Sequence, residues 1–170
     1  MAELFLRLGP EGAAILYRGR LLVEGLGVRL WDGLLPPSGV EKLAGEDLLG
    51  AYSGASLVFS WGDERPVRLS LKLYPDREVV LVEAEVLSDL AGLAGEDSFL
   101  SSPLDAPVLF LPEAEYLLFT WGMVGPGGGG EWPRPIYGRQ VKEIPRDRPF
   151  APLLITDGQR SLAISPASHL

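Results

Sequence analysis

Cysteine is missing from this chain of 170 residues, asparagine is missing too, and histidine occurs once. Without cysteine there is no disulfide and no thiolate metal site, which fits a reducing, cytoplasmic setting. The single histidine, His169, stands next to the last residue, and no Asp, Glu and His residues recur at ligand spacing, so neither a metal nor a cofactor is expected. A Ser-His-Asp triad would have to use His169, and no Gly-x-Ser-x-Gly elbow is present. No run approaches the roughly 20 apolar residues of a membrane helix. The opening MAELFLRLGP lacks the apolar core of a signal peptide, and Glu3 sits where positive charge is wanted. Positive charge is in short supply overall: 15 Lys and Arg face 23 Asp and Glu, a net charge of -8, which disfavours a nucleic-acid partner. Arg134, Arg139, Lys142, Arg146 and Arg148 cluster loosely, but Glu143 and Asp147 interrupt them, so a solvated loop is the reading. The lack of asparagine, with only two glutamines and many prolines and arginines, is the lean of a heat-adapted protein.

What is present is alternation. Hydrophobic residues make up 46% and charged residues 22%, the balance of a globular chain, and its length suits one domain with no evident linker. In ASLVFSW, Ala55, Leu57, Phe59 and Trp61 share one face. In VRLSLKLYP, Val67, Leu69, Leu71 and Leu73 alternate with Arg68, Ser70, Lys72 and Tyr74, and in VLVEAEV, Val80, Val82, Ala84 and Val86 oppose Leu81, Glu83 and Glu85. Successive strand residues point to opposite faces, so each run is half buried, the antiparallel pattern. Arg18-Gly19 and Asp157-Gly158 predict hairpin turns, the latter a tight two-residue one, and Pro75-Asp76 predicts a corner. Ser38 and Glu41 have capping-box spacing ahead of an apolar stripe, Val40, Leu43, Ala44 and Leu48, which predicts a short surface helix weakened by Gly45. The expectation is an all-β, antiparallel β-sandwich with at most one or two short helices, spanning 1–170. LVFSWG (57–62) and LLFTWG (117–122) echo one another, as equivalent corners of such a sandwich would.

The stretch GPGGGGEWPRP (125–135) is no phosphate cradle, because Glu, Trp and two prolines follow the glycines where a helix would have to start. Glu83 and Glu85 share a strand face, and Glu113 and Glu115 are spaced alike; paired carboxylates serve glycoside hydrolysis, but an outer wet strand face accounts for the first pair. Trp121, Trp132 and Tyr137 flank the glycine loop with Arg134 among them. Aromatic faces stack on the apolar faces of sugar rings and Arg presents a rigid fork of donors, so these four are the candidate carbohydrate-binding residues. A stand-alone sugar-modifying enzyme would have to work through His169 or Glu83 and Glu85.

The segments FTWG, WPRPIYGR and IPRDRPFAPLLITDGQRSLAISPASHL, preceded by GEDLLGAYSGASLVFSW and PVRLSLKLYPDREVVLVEAEVL, resemble the N-terminal β-sandwich of glycoside hydrolases of the alpha-galactosidase and raffinose-synthase type over about residues 40–170. The resemblance implies a supersandwich of galactose-mutarotase-like form. In that family the sandwich packs on a (β/α)₈ barrel, which carries two catalytic carboxylates and whose mouth the sandwich loops border. Eight βα units need about 250 further residues, so no catalytic residue is carried over to this chain. The expected role is a non-catalytic module of a carbohydrate-active protein. Its partners would be a sugar, a catalytic barrel or a second copy covering the edge left by the last strand. The alternative is an assembly domain that binds only protein.

Overall fold

A computed structural model describes residues 4–10, 12–30, 33–61, 67–87, 104–120, 134–144, 150–156, 158 and 161–165. The fold is all-β, and every strand pairing in it is antiparallel. No α-helix occurs among the described residues; Pro75–Arg77 and Val141–Glu143 form single 3₁₀ turns. Likewise, no described helix is long and apolar enough to cross a membrane. The chain divides into two compact units, Met1–Leu111 and Pro112–Leu170.

The first unit holds two sheets. One is a meander of β1 (Leu4–Gly9), β2 (Gly12–Tyr17), β3 (Arg20–Leu30) and β4 (Gly33–Leu35), joined by β9 (Leu104–Phe110). The long β3 organises it. Its first half pairs with β2 and its last three residues with β4, while β9 pairs along 25–30, so β2 and β4 share one edge of β3 and β9 takes the other. Arg18-Gly19 is the β2–β3 turn, as its sequence predicts, with both residues at positive φ.

The other sheet is a meander of β5 (Gly39–Asp47), β6 (Gly50–Phe59), β7 (Val67–Tyr74) and β8 (Val79–Val86). The register sets Ala55 beside Leu71, Leu57 beside Leu69 and Phe59 beside Val67, and all six are buried. This is the apolar face read from the alternation, and burying it supplies the driving force for the sheet. In the first sheet the buried apolar residues include Leu4, Ile15, Val23, Leu26 and Val28. At one end the Tyr17 hydroxyl of β2 donates to the Glu78 carboxylate, and the Arg77 side chain donates to the Leu49 carbonyl, so three hairpin turns are linked.

The helix expected over 38–48 is a strand. Nine consecutive residues, 39–47, pair with 50–58 without a register shift. Ser38 does not cap a helix: its amide and hydroxyl donate to the Val58 carbonyl at 2.7 and 3.0 Å, pinning the start of β5 to β6. Gly45 is opposite Tyr52, where a Cβ would lie 2.7 Å from the Tyr52 hydroxyl. The glycine that merely weakens a helix is what lets the ring fold across the neighbouring strand.

The second unit is one sheet in the order β11 (Arg134–Gly138), β10 (Glu115–Thr120), β12 (Phe150–Thr156) and β13 (Ser161–Ile164). Tyr116, Leu118, Leu153 and Ile155 form its buried face. The β12–β13 hairpin is present, but Thr156 pairs with Ser161, so four residues separate the strands and not two. Gly158 holds φ at 83°, and its amide donates to the Thr156 hydroxyl at 3.1 Å, a side-chain-closed turn in place of the tight one.

Candidate functional site

On the outer face of the β5–β8 sheet, the paired carboxylates are already engaged. Glu83 meets Lys72 Nζ at 3.1 Å, and Glu85 meets Arg68 at 3.2 Å; both are cross-strand ion pairs, the second between directly opposed residues and the first along a diagonal, since Glu83 is opposite Ser70. Lys72 also lies 5.3 Å from the Tyr52 ring centroid and 4.0 Å from Asp47. Its hydrogen bond to Glu83, opposed by partial burial, holds its pKa above the usual lysine value. The buried Tyr74 donates to Asp47 Oδ2 at 2.7 Å, and the Leu49 amide donates to Asp47 Oδ1 at 2.9 Å. Burial first, and the Asp47 carboxylate second, push the Tyr74 phenol up to about 12, while the same bond draws Asp47 below the ordinary carboxylate range. Each charge here has a partner, so this face reads as a cross-strand staple.

The second unit offers an open site. A shallow groove of about 560 Å³ is lined by Glu113, Glu115, Arg139, Gln140, Lys142 and Thr156, with Ala114 and Gly158 at its edges. Strand register assembles it. Leu117 is opposite Tyr137 and Glu115 is opposite Thr156, so Glu115, Tyr137 and Thr156 emerge on one face of the sheet. Tyr137 is 59% exposed, and its hydroxyl donates to Glu115 Oε2 at 2.6 Å. That bond, with some burial, raises the Tyr137 pKa, and it gives the ring a fixed direction.

Behind the groove, Tyr116 is opposite Gly138, and its ring occupies the space a Cβ at 138 would need. The Tyr116 hydroxyl reaches the Glu143 carbonyl at 3.0 Å. A buried phenol thereby holds the Val141–Glu143 turn, and with it the segment carrying Arg139, Gln140 and Lys142, against the end of the sheet. The arrangement combines an exposed flat ring, acceptors on Glu113 and Glu115, and donors on Arg139, Gln140 and Lys142. It is suited to holding a molecule bearing many hydroxyls.

Of the four residues picked from sequence, Tyr137 is tied to this groove through its bond to the lining residue Glu115, without lining the groove itself. Arg134 is the first residue of β11, and only its backbone is described; Trp121, Trp132, Arg146, Arg148 and His169 lie outside the described residues. Sequence reasoning missed Glu115 as the partner of Tyr137, and it assigned Arg139 and Lys142 to a solvated loop. The i, i+2 spacing of Glu113 and Glu115 was the available signal, but it takes the β10–β11 register to bring Tyr137 to them. Among the described residues no group of three or more His, Asp or Glu could hold a metal ion. Comparison with protein-family models, with curated proteins and with solved structures returned no match.

Proposed function

We propose that this chain is a non-catalytic β-sandwich module of a carbohydrate-active protein, and that the groove of the second unit is its sugar-binding surface. One observation carries the reading: the exposed Tyr137 ring is anchored through its hydroxyl to Glu115 beside a groove that mixes carboxylates with Arg139, Gln140 and Lys142. A platform fixed before binding loses little entropy when a pyranose stacks on it, and the flanking groups suit hydroxyls on both donor and acceptor sides. The resemblance to the sandwich of alpha-galactosidase-type hydrolases supports the same ligand class, and it adds a catalytic barrel as the partner that such a module would serve. A stand-alone enzyme has less support, since Glu83 and Glu85 are engaged by Lys72 and Arg68.

Calorimetric titration with galactosides and oligosaccharides tests the reading. Binding that falls about tenfold or more on Tyr137→Ala but only a few-fold on Tyr137→Phe is expected, because the ring carries the stacking and the hydroxyl only its aim. Absence of heat with every glycan, or binding indifferent to Tyr137→Ala, would remove the groove from consideration.

A further inference from the structure

The edge of β5 is a second feature, independent of the groove. Among the described residues β5 pairs with β6 alone, and its nine residues run without a register shift and without proline. Most of its residues are exposed, Val40 at 49%, and Leu48 at the hairpin tip is wholly exposed. A flat edge of this length invites another strand unless it is interrupted. The two-residue turn Leu48-Leu49 closes on the pair Asp47 and Gly50. In such a turn the closing pair exchanges both backbone bonds, and bonded pairs then alternate along the hairpin. The odd-numbered residues of β5 therefore bond to β6, and Val40, Lys42, Ala44 and Glu46 turn their backbone groups outward.

We propose that β5 is a pairing edge for a second copy of this chain, joined antiparallel about a twofold axis at Ala44. A twofold axis normal to the sheet pairs residues of equal parity, so only a few registers are open. The register centred on Ala44 sets Lys42 opposite Glu46 of the other copy, twice, and brings Val40 opposite Leu48. It thus joins opposite charges and covers the two exposed apolar side chains together. Centring on Lys42 would set the two lysines against each other, and centring on Leu43 would set Val40 against Glu46. Neither Lys42 nor Glu46 has an ion-pair partner of its own among the described residues. On the opposite face Glu41 meets Asp47, a like-charge pair softened because Asp47 already accepts from Tyr74 and Leu49. The β5–β8 sheets of two copies then become one continuous eight-stranded sheet.

Sedimentation velocity and light scattering of the full chain over a wide concentration range decide the matter. The wild type dimerises, and Lys42→Glu weakens the dimer about tenfold or more, since both cross-copy pairs turn repulsive. The double exchange Lys42→Glu with Glu46→Lys restores it, because the same two pairs form with their signs swapped. Ala44→Pro, which deletes the outward amide on the axis, gives monomer. A wild type that is monomeric at every concentration overturns the proposal. So does a dimer unaffected by Lys42→Glu, or one that the double exchange fails to rescue. The sugar titration reads a different surface, so the two results are independent.

Discussion

At the residue scale, the buried tyrosines of this protein are defined by partners distant in sequence. Tyr74 follows the polar positions Arg68, Ser70 and Lys72 in the strand alternation, yet it is buried, with its hydroxyl on Asp47 across 27 residues. Two pH effects follow, with opposite signs. The native Asp47 pKa is lowered, chiefly by the Tyr74 bond, so its contribution to stability is present above the unfolded carboxylate value and is lost as pH falls below about 4. The native Tyr74 pKa is raised to about 12, so its contribution is complete below the unfolded value near 10 and is lost as pH climbs from there. Tyr74→Phe should flatten the acid limb of the stability–pH profile and remove the highest step from an ultraviolet titration of the five tyrosines. An unchanged titration would mean that some other tyrosine ionises last. Sequence showed Tyr74 as one more outward-facing position because alternation reports which face a residue takes, not whether a neighbouring strand's side chain will cover it. Ser56 makes the same point: on the nominally wet face of β6, it is buried, and its hydroxyl has no hydrogen-bond partner among the described residues.

Elements were legible where period and turn chemistry agree and illegible where a ring decides. The runs 55–59, 67–74 and 79–86 are strands whose apolar positions share one face as the alternation states, although along 79–86 that face is not buried, with Ala84 and Val86 exposed, and Pro75-Asp76 is the corner between two of them. Over 38–48 the stripe Val40, Leu43, Ala44 and Leu48 matched helical spacing by coincidence, since Leu48 is fully exposed and Val40 half exposed. What selects the strand is the pairing of Gly45 with Tyr52, a contact between strands that no local window contains. The second unit uses the same device at Gly138 and Tyr116. Gly138→Ala should therefore evict the Tyr116 ring and break its bond to the Glu143 carbonyl, destabilising the protein by about 1–3 kcal/mol. Urea denaturation measures that loss. Sugar affinity should fall with it, although residue 138 offers no side chain to a ligand, because Arg139, Gln140 and Lys142 ride on the released segment. Stability lost without any change in binding would separate the Tyr116 anchor from the groove.

At the scale of the whole molecule, burial is distributed unevenly. The β6–β7 ladder contributes Leu57, Phe59, Val67, Leu69 and Leu71, all completely buried, whereas among the described residues of the second unit's sheet the core comprises Tyr116, Leu118, Leu153 and Ile155, and Leu118 alone is completely buried. Stability follows buried apolar area, so local opening should be rarest along β6 and β7 and commonest at the short outer strands β11 and β13. Leu69→Ala, at the centre of the ladder, should cost about 2–5 kcal/mol, more than Leu162→Ala on the half-buried β13. Hydrogen exchange followed by mass spectrometry tests the ordering directly. Amides of 55–59 and 67–73 should exchange last, those of 161–164 should exchange early, and Leu69→Ala should accelerate the slow set most. Protection that is greatest in β12 and β13 would place the stability of this fold in its smaller sheet, contrary to where its apolar side chains are buried.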